Sequence, residues 1–249
     1  MKTARPIFFY FLYIFSLLTP TQSVASFIDD YTVSFGMTRY QFRDFLASTE
    51  SVPEDVYVNY KSNSPIVGLR FDKIFNERWS VRSEFSLSYD LNLESDVVFR
   101  NGRFTFDGHS WGIESKITTL YQTDLAKKLF IGMGVGFGNF SLCSRIEPDS
   151  PYIPHPRLLL PVFRVEQHYK FLENPAYWSV DISRVDIFGY LHGVGYAFEN
   201  MIYITQTPDV DQGFRITYSY WNFKIAKRRT RDWLNDVHSL AWTMELKFK

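Results

Sequence analysis

Apolar and polar residues alternate one for one over most of this 249-residue chain. Between Trp79 and Leu93, the residues Trp79, Val81, Phe85, Leu87, Tyr89, Leu91 and Leu93 fall on one side, while Ser80, Arg82, Glu84, Ser86, Ser88, Asp90 and Asn92 fall on the other. A period of two belongs to an extended strand with one apolar and one wet face, not to a helix, whose faces repeat every ~3.6 residues. Leu129, Ile131, Met133, Val135 and Phe137 repeat the pattern against Gly132, Gly134, Gly136 and Gly138. At the end of the chain Leu240, Trp242, Met244, Leu246 and Phe248 alternate with Ala241, Thr243, Glu245 and Lys247. After residue 25 no apolar run approaches the ~18–20 residues that a membrane-crossing helix needs, so the sequence predicts an all-β chain.

Ten segments carry this alternation: 31–42, 64–73, 79–93, 109–121, 128–141, 158–170, 176–187, 192–205, 211–224 and 237–249. The links after the second, fourth, sixth and eighth are short, near Asn76, Asp124, Asn174 and Pro208, whereas most of the others are longer and rich in Pro, Ser and charge. Short turns at one end and long loops at the other are the rhythm of an antiparallel transmembrane β-barrel with periplasmic termini. The seventh and eighth segments are the weakest, so an eight-stranded barrel with a hairpin excursion is the alternative to ten strands.

The N-terminus is a targeting segment. Lys2 and Arg5 precede an apolar stretch from Ile7 to Leu18, and Ser23-Val24-Ala25 supplies the small residues a signal peptidase reads. Residues 1–25 are therefore expected to be a signal peptide and 26–249 a single barrel domain. Cleavage removes two of the 27 cations and none of the 27 acids, leaving a formal charge of −2. That balance excludes an electrostatic nucleic-acid binder. The single cysteine, Cys143, excludes a disulfide framework and a cysteine-based zinc module, and an export signal without a disulfide pair suits a Gram-negative envelope.

A soluble lipocalin-like barrel also alternates, but with its apolar face inward. Here the other face carries Arg82, Glu84, Glu114, Lys116, Arg164, Glu166 and Asp181 at mid-strand, as expected of a polar lumen crossed by ion pairs. Trp79, Trp111, Tyr121, Tyr169, Trp178 and Trp242 fall where interfacial aromatic girdles would lie. With its signal peptide, its alternating segments and an apolar-alternating last strand, the mature chain resembles the small Gram-negative outer-membrane β-barrels of the OmpA, OmpX and OmpW types. The resemblance is architectural. It implies an outer-membrane location, contact with outer-membrane lipids and lipopolysaccharide, and assembly by the barrel assembly machinery, with Trp242, Met244, Leu246 and Phe248 as the assembly signal. Phe248 is penultimate here, whereas members of that class usually end in Phe.

Candidate chemistry lies in the lumen and loops. A turn near Glu173 and Asn174 pairs Tyr169 with Trp178 and Val165 with Ile182, which sets His168 opposite Ser179, Glu166 opposite Asp181 and Arg164 opposite Ser183. His168, Glu166, Ser179 and Asp181 are the raw material of a hydrolase site, and outer-membrane lipid A deacylases use Ser, His and an acid, although on their lipid-facing surface. Structural packing of the lumen is the simpler reading of this ladder. The glycines at 132–138 do not have the spacing of a nucleotide-binding loop; opposite Glu114 and Lys116 they make room for large neighbours or a water-filled gap. Lys227, Arg228, Arg229 and Arg231, followed by Trp233, form a loop cluster able to hold lipopolysaccharide phosphates. Glu147, Asp149 and His155 are too irregularly spaced for a metal site, and no cofactor is implied.

The reading is thus a barrel with a largely plugged lumen, structural or narrowly conducting and porin-like, with a surface-binding or adhesion barrel and a lipid A-modifying enzyme as alternatives. In isolated outer membranes, unboiled protein is expected to migrate differently on a denaturing gel from boiled protein. A soluble periplasmic protein without such a shift would mean that the apolar faces point inward.

Overall fold

The computed structural model describes residues 29–46, 56–99, 102–124, 126, 128–144, 153–154, 158–187, 191–225 and 233–248. The signal-peptide and basic-loop expectations, residues 1–25 and Lys227 to Arg231, lie outside them. Among the described residues every regular element is a strand: β1 (Asp30–Leu46), β2 (Val56–Ile74), β3 (Trp79–Phe99), β4 (Gly102–Asp124), β5 (Leu129–Ser144), β6 (Ile153–Pro154), β7 (Leu158–Phe171), β8 (Asn174–Ile187), β9 (Leu191–Gln206), β10 (Val210–Ile225) and β11 (Trp233–Phe248). β6 is a two-residue bridge on β5, and the other ten pair antiparallel with their neighbours in order. β1 pairs with β11 from Tyr31↔Phe248 to Leu46↔Trp233, which closes the sheet and leaves no long strand with an open edge. In lipid that closure is obligatory, because an unpaired backbone N–H or C=O has no water to bond.

The weak seventh and eighth segments pair along their whole length, from Ala176↔Ile202 to Ile187↔Leu191, so the barrel has ten strands rather than eight. Two sequence expectations need correction. Residues 94–108, read as loop, continue β3 and β4 as a paired hairpin out to Phe99↔Gly102, past a register irregularity between Asp90 and Leu93; the polar run Glu94-Ser95-Asp96 followed by Val97-Val98-Phe99 ends the one-for-one alternation and hides this from the sequence. In the β7–β8 hairpin the turn is Leu172-Glu173, both at positive φ (47° and 68°), with Phe171 paired to Asn174. That is the geometry of a type I′ turn, which usually takes Gly or Asn, so the sequence signal pointed instead to Asn174. The true register is two residues away from the expected one: Glu166 faces Ser179, Arg164 faces Asp181 and His168 faces Tyr177. A two-residue slip preserves each residue's face and changes its partner.

Large apolar side chains point outward, including Phe85, Ile117, Met133, Val135, Phe163, Ile182, Ile216 and Met244, all exposed. Two aromatic belts frame them. Trp79 pairs with Tyr121, their rings 4.7 Å apart, and ten residues further along the same strands Tyr89 pairs with Trp111. Ten residues at ~3.3 Å each, tilted by ~45°, span ~23 Å along the axis, close to the ~25 Å apolar band of an outer-membrane barrel. Trp178 and Tyr169 lie near the turn end as expected, and Phe248 stacks on Tyr31 at 4.6 Å. Trp242, six residues inside Phe248, belongs to the band between the belts rather than to a girdle.

The N-terminal edge is tied at the turn end. Asp29 accepts hydrogen bonds from the Ile74 backbone N–H and, at 3.2 Å, from Lys73 Nζ, and these hold its carboxyl below the usual carboxylate range. On the inner wall, Gly195 lies directly opposite Trp221. A methyl group on Gly195 would sit 2.0–2.7 Å from the Trp221 ring, so this glycine lets an inward-facing tryptophan lie flat against the sheet. Gly195→Ala is expected to destabilise the barrel by about 1–3 kcal/mol through overpacking, read as a lower temperature for the change in gel mobility.

Candidate functional site

Inside the barrel, charge has to be neutralised, because a desolvated ion without a partner costs several kcal/mol. Arg164 on β7 sits at the centre with a fully buried side chain. Its Nε donates to Glu166 at 3.0 Å, Nη1 to Glu84 at 3.0 Å, and Nη2 to Ser179 at 2.8 Å and Glu199 at 3.3 Å, so one guanidinium binds groups from β3, β7, β8 and β9. Arg82 bridges Asp72 at 2.7 Å and Glu166. Lys116 donates to Asp181 at 2.6 Å and reaches Glu84 at 2.8 Å.

Toward the turn end the network continues through Arg70 and Arg215. Arg70 donates to Tyr177 Oη at 2.6 Å, and to Thr32 and Tyr203 at 3.2 Å; Tyr177 in turn donates to Glu199 at 2.7 Å. Arg215 pairs with Glu245 at 2.8 Å and Glu199 at 3.3 Å. Met201 packs with Tyr177 and Tyr203 in a buried cluster below this layer. Among the described residues, every long strand except β5 contributes a side chain to the network. β5 instead supplies the glycines, with Gly136 opposite Lys116 and Gly138 opposite Glu114, as the sequence predicts.

Above the network, toward the loop end, lies a cavity of about 190 Å3. Its floor includes Arg70, Glu84 and Arg215, and its upper walls include Tyr40, Leu160, Val162, Trp221 and Val237. Glu114, Lys116, Gly136 and Gly138 also line it, so the glycine face does border open space.

The lumen residues expected from sequence, Arg82, Glu84, Glu114, Lys116 and Arg164, all face inward, and four of them join the ion-pair network. The exception is Glu114, which takes part in no ion pair or hydrogen bond among the described residues and lines the cavity. The hydrolase inventory is present but not assembled. His168 Nε2 bonds Glu166 at 2.7 Å with its ring between Phe130 and Tyr177, and Ser179 Oγ accepts from Arg164, so no His–Ser hydrogen bond joins them. Trp242, Met244, Leu246 and Phe248 lie on the outer face, with Trp242 and Met244 exposed.

Sequence reasoning missed Arg70, Glu199, Arg215 and Glu245, all members of the ion-pair network. Their signal was available as charges at inward positions of β2, β9, β10 and β11. It also missed an outer-face cluster near the loop end, in which His238 accepts or donates a 3.0 Å bond to Tyr218 Oη, lies 3.6 Å from Asp236, and packs on Tyr220 at 4.7 Å.

No family profile matches the sequence. Comparison with curated proteins likewise finds no match. Solved structures do match. The outer membrane protease OmpT of Escherichia coli superposes with a TM-score of 0.63 at 10% identity, covering 88% of this chain and 95% of that one. OprG of Pseudomonas aeruginosa gives 0.41 at 10% identity over 88% and 95%, and the neisserial surface protein NspA 0.34 at 11% over 88% and 96%. The protein has the fold of the small outer-membrane β-barrels, a closed antiparallel barrel of ten strands. At these identities the likeness is one of fold alone.

Replacing Arg164 with Met is expected to destabilise the barrel by about 3–5 kcal/mol, because Glu84, Glu166 and Glu199 lose their shared cation. Adding Glu84→Gln should recover part of that loss, since the two sites are coupled. Equilibrium unfolding in urea reads both; additive effects would show that the contacts are not energetically linked.

Proposed function

We propose that the protein is an outer-membrane barrel closed to ion flow, with its short turns and both strand termini on the periplasmic side and its long connections outside the cell. The observation that supports this is Arg164, whose buried guanidinium is held by Glu84, Glu166 and Glu199 from three strands and so sets a charge-paired layer inside the lumen. A structural role then suits the barrel better than a narrow channel. The lipid A-modifying alternative loses its support, since His168 and Ser179 are each committed to other partners.

A surface-binding role is the second reading, favoured by the β3–β4 hairpin, which continues ten residues beyond the Tyr89–Trp111 belt. Lipopolysaccharide held by Lys227, Arg228, Arg229 and Arg231, and an assembly signal in Trp242, Met244, Leu246 and Phe248, belong to the same proposal.

In planar bilayers the wild-type protein is expected to show no steady conductance, whereas a variant carrying Arg164→Ser, Glu84→Ser and Glu166→Ser should conduct. Steady wild-type channels would refute the closed barrel. Changing the four loop cations to Gln is expected to lower co-purified lipopolysaccharide severalfold with the heat-dependent gel shift intact; an unchanged amount would remove that site.

A further inference from the structure

The lumen cavity carries a surplus of negative charge. Three cations line it, Arg70, Lys116 and Arg215, each already held by carboxylates within 3.6 Å. Five carboxylates line it: Glu84, Glu114, Asp181, Glu199 and Glu245. Counting the charges packed behind the floor, namely Arg82, Arg164, Asp72 and Glu166, five cations meet seven carboxylates.

The surplus is localised. Glu114 has no ion-pair partner among the described residues, and Asp181, paired through one oxygen with Lys116 at 2.6 Å and Arg164 at 3.6 Å, keeps its buried Oδ1 without a hydrogen-bond partner. Asp181 is itself more than nine-tenths buried and borders the same cavity. The walls above these carboxylates are apolar and aromatic, with Leu160, Val162 and Val237 beside Trp221 and Tyr40. Gly195 allows the Trp221 ring to lie against the wall, and an aromatic face attracts a cation most strongly where water is displaced.

We propose that this cavity binds a small organic cation with an apolar body, such as a quaternary or alkylated ammonium, its charge directed toward Glu114 and Asp181 and its hydrocarbon surface against Trp221. A metal ion is a poorer fit, because no group of three metal-ligating side chains forms among the described residues. The size agrees with a ring-sized ligand, since a cavity of ~150 Å3 in another protein accommodates benzene. Such binding rests on the closed lumen proposed above, in which the ion-pair floor retains a ligand entering from the loop end rather than passing it through.

The test is calorimetric titration of the folded protein in detergent with choline and with its uncharged isostere 3,3-dimethyl-1-butanol. Choline is expected to bind saturably at one site, and the alcohol about tenfold more weakly or not at all. Glu114→Gln and Trp221→Leu should each weaken choline about tenfold, with the heat-dependent gel shift confirming that the barrel is folded. Absence of saturable choline binding, equal affinity for the two probes, or an unchanged affinity in Glu114→Gln would overturn the proposal. The comparison of the two probes on wild-type protein stands even if a variant fails to fold. Conductance, which tests the closed lumen, is read separately, so a leaking barrel and an empty pocket are distinguishable.

Discussion

The cost of holding charge away from bulk water governs this structure. A ten-stranded barrel is narrow enough that inward side chains from different walls meet, and its inward positions here set charged groups among Ser, Thr and Gly. Every guanidinium in the central layer must therefore find carboxylates, on its own or a neighbouring strand or across the lumen. Arg164 does so with Glu84, which lies 80 positions earlier in the chain and on a strand not adjacent to its own. Such contacts depend on the register of every intervening strand. The ion-pair layer consequently reports that the whole barrel has closed correctly, rather than stabilising any one hairpin.

The glycine strand is the counterpart of this layer. Lys116 and Glu114 project from β4 toward the lumen beside the bare inner face of β5, whose Gly136 and Gly138 present no side chain to compete for space. Charge and void thus divide the lumen along its axis. The turn end is filled by Met201, Tyr177 and Tyr203 beneath the arginines, while the loop end keeps the cavity. The outer surface has its own order, with aromatic pairs at the two edges of an apolar band.

Much of this was legible because the strand period is two and lipid and lumen impose opposite demands on alternate residues. That assigned ten strands, their short turns, the outward Phe85, Met133 and Val135, and the inward Arg82, Glu84, Lys116 and Arg164. What the sequence concealed has specific causes. The β3–β4 hairpin was cut short because Glu94-Ser95-Asp96 and then Val97-Val98-Phe99 break the one-for-one alternation beyond Leu93. The β7–β8 register was misplaced because Leu172 and Glu173 occupy a turn that Asn174 advertises more loudly. The partnerships of Arg70, Arg215, Glu199 and Glu245 join different strands, adjacent ones for Arg215 with Glu199 and Glu245 and distant ones for Arg70 with Tyr177, so they need the strand order as well as the period. Trp242 fell inside the band because an aromatic residue in an alternating strand does not by itself report its depth.

The barrel rim is uneven. β3 and β4 run for 21 and 23 residues, whereas β7 and β8 run for 14 each, so one side of the wall stands taller than the other. A cylinder of even height presents the same profile from every direction, and neighbours in the plane of the membrane could approach it at any angle. A lopsided wall removes that equivalence. It gives the molecule a front and a back, with the β3–β4 strands standing above the loop ends of β7 and β8.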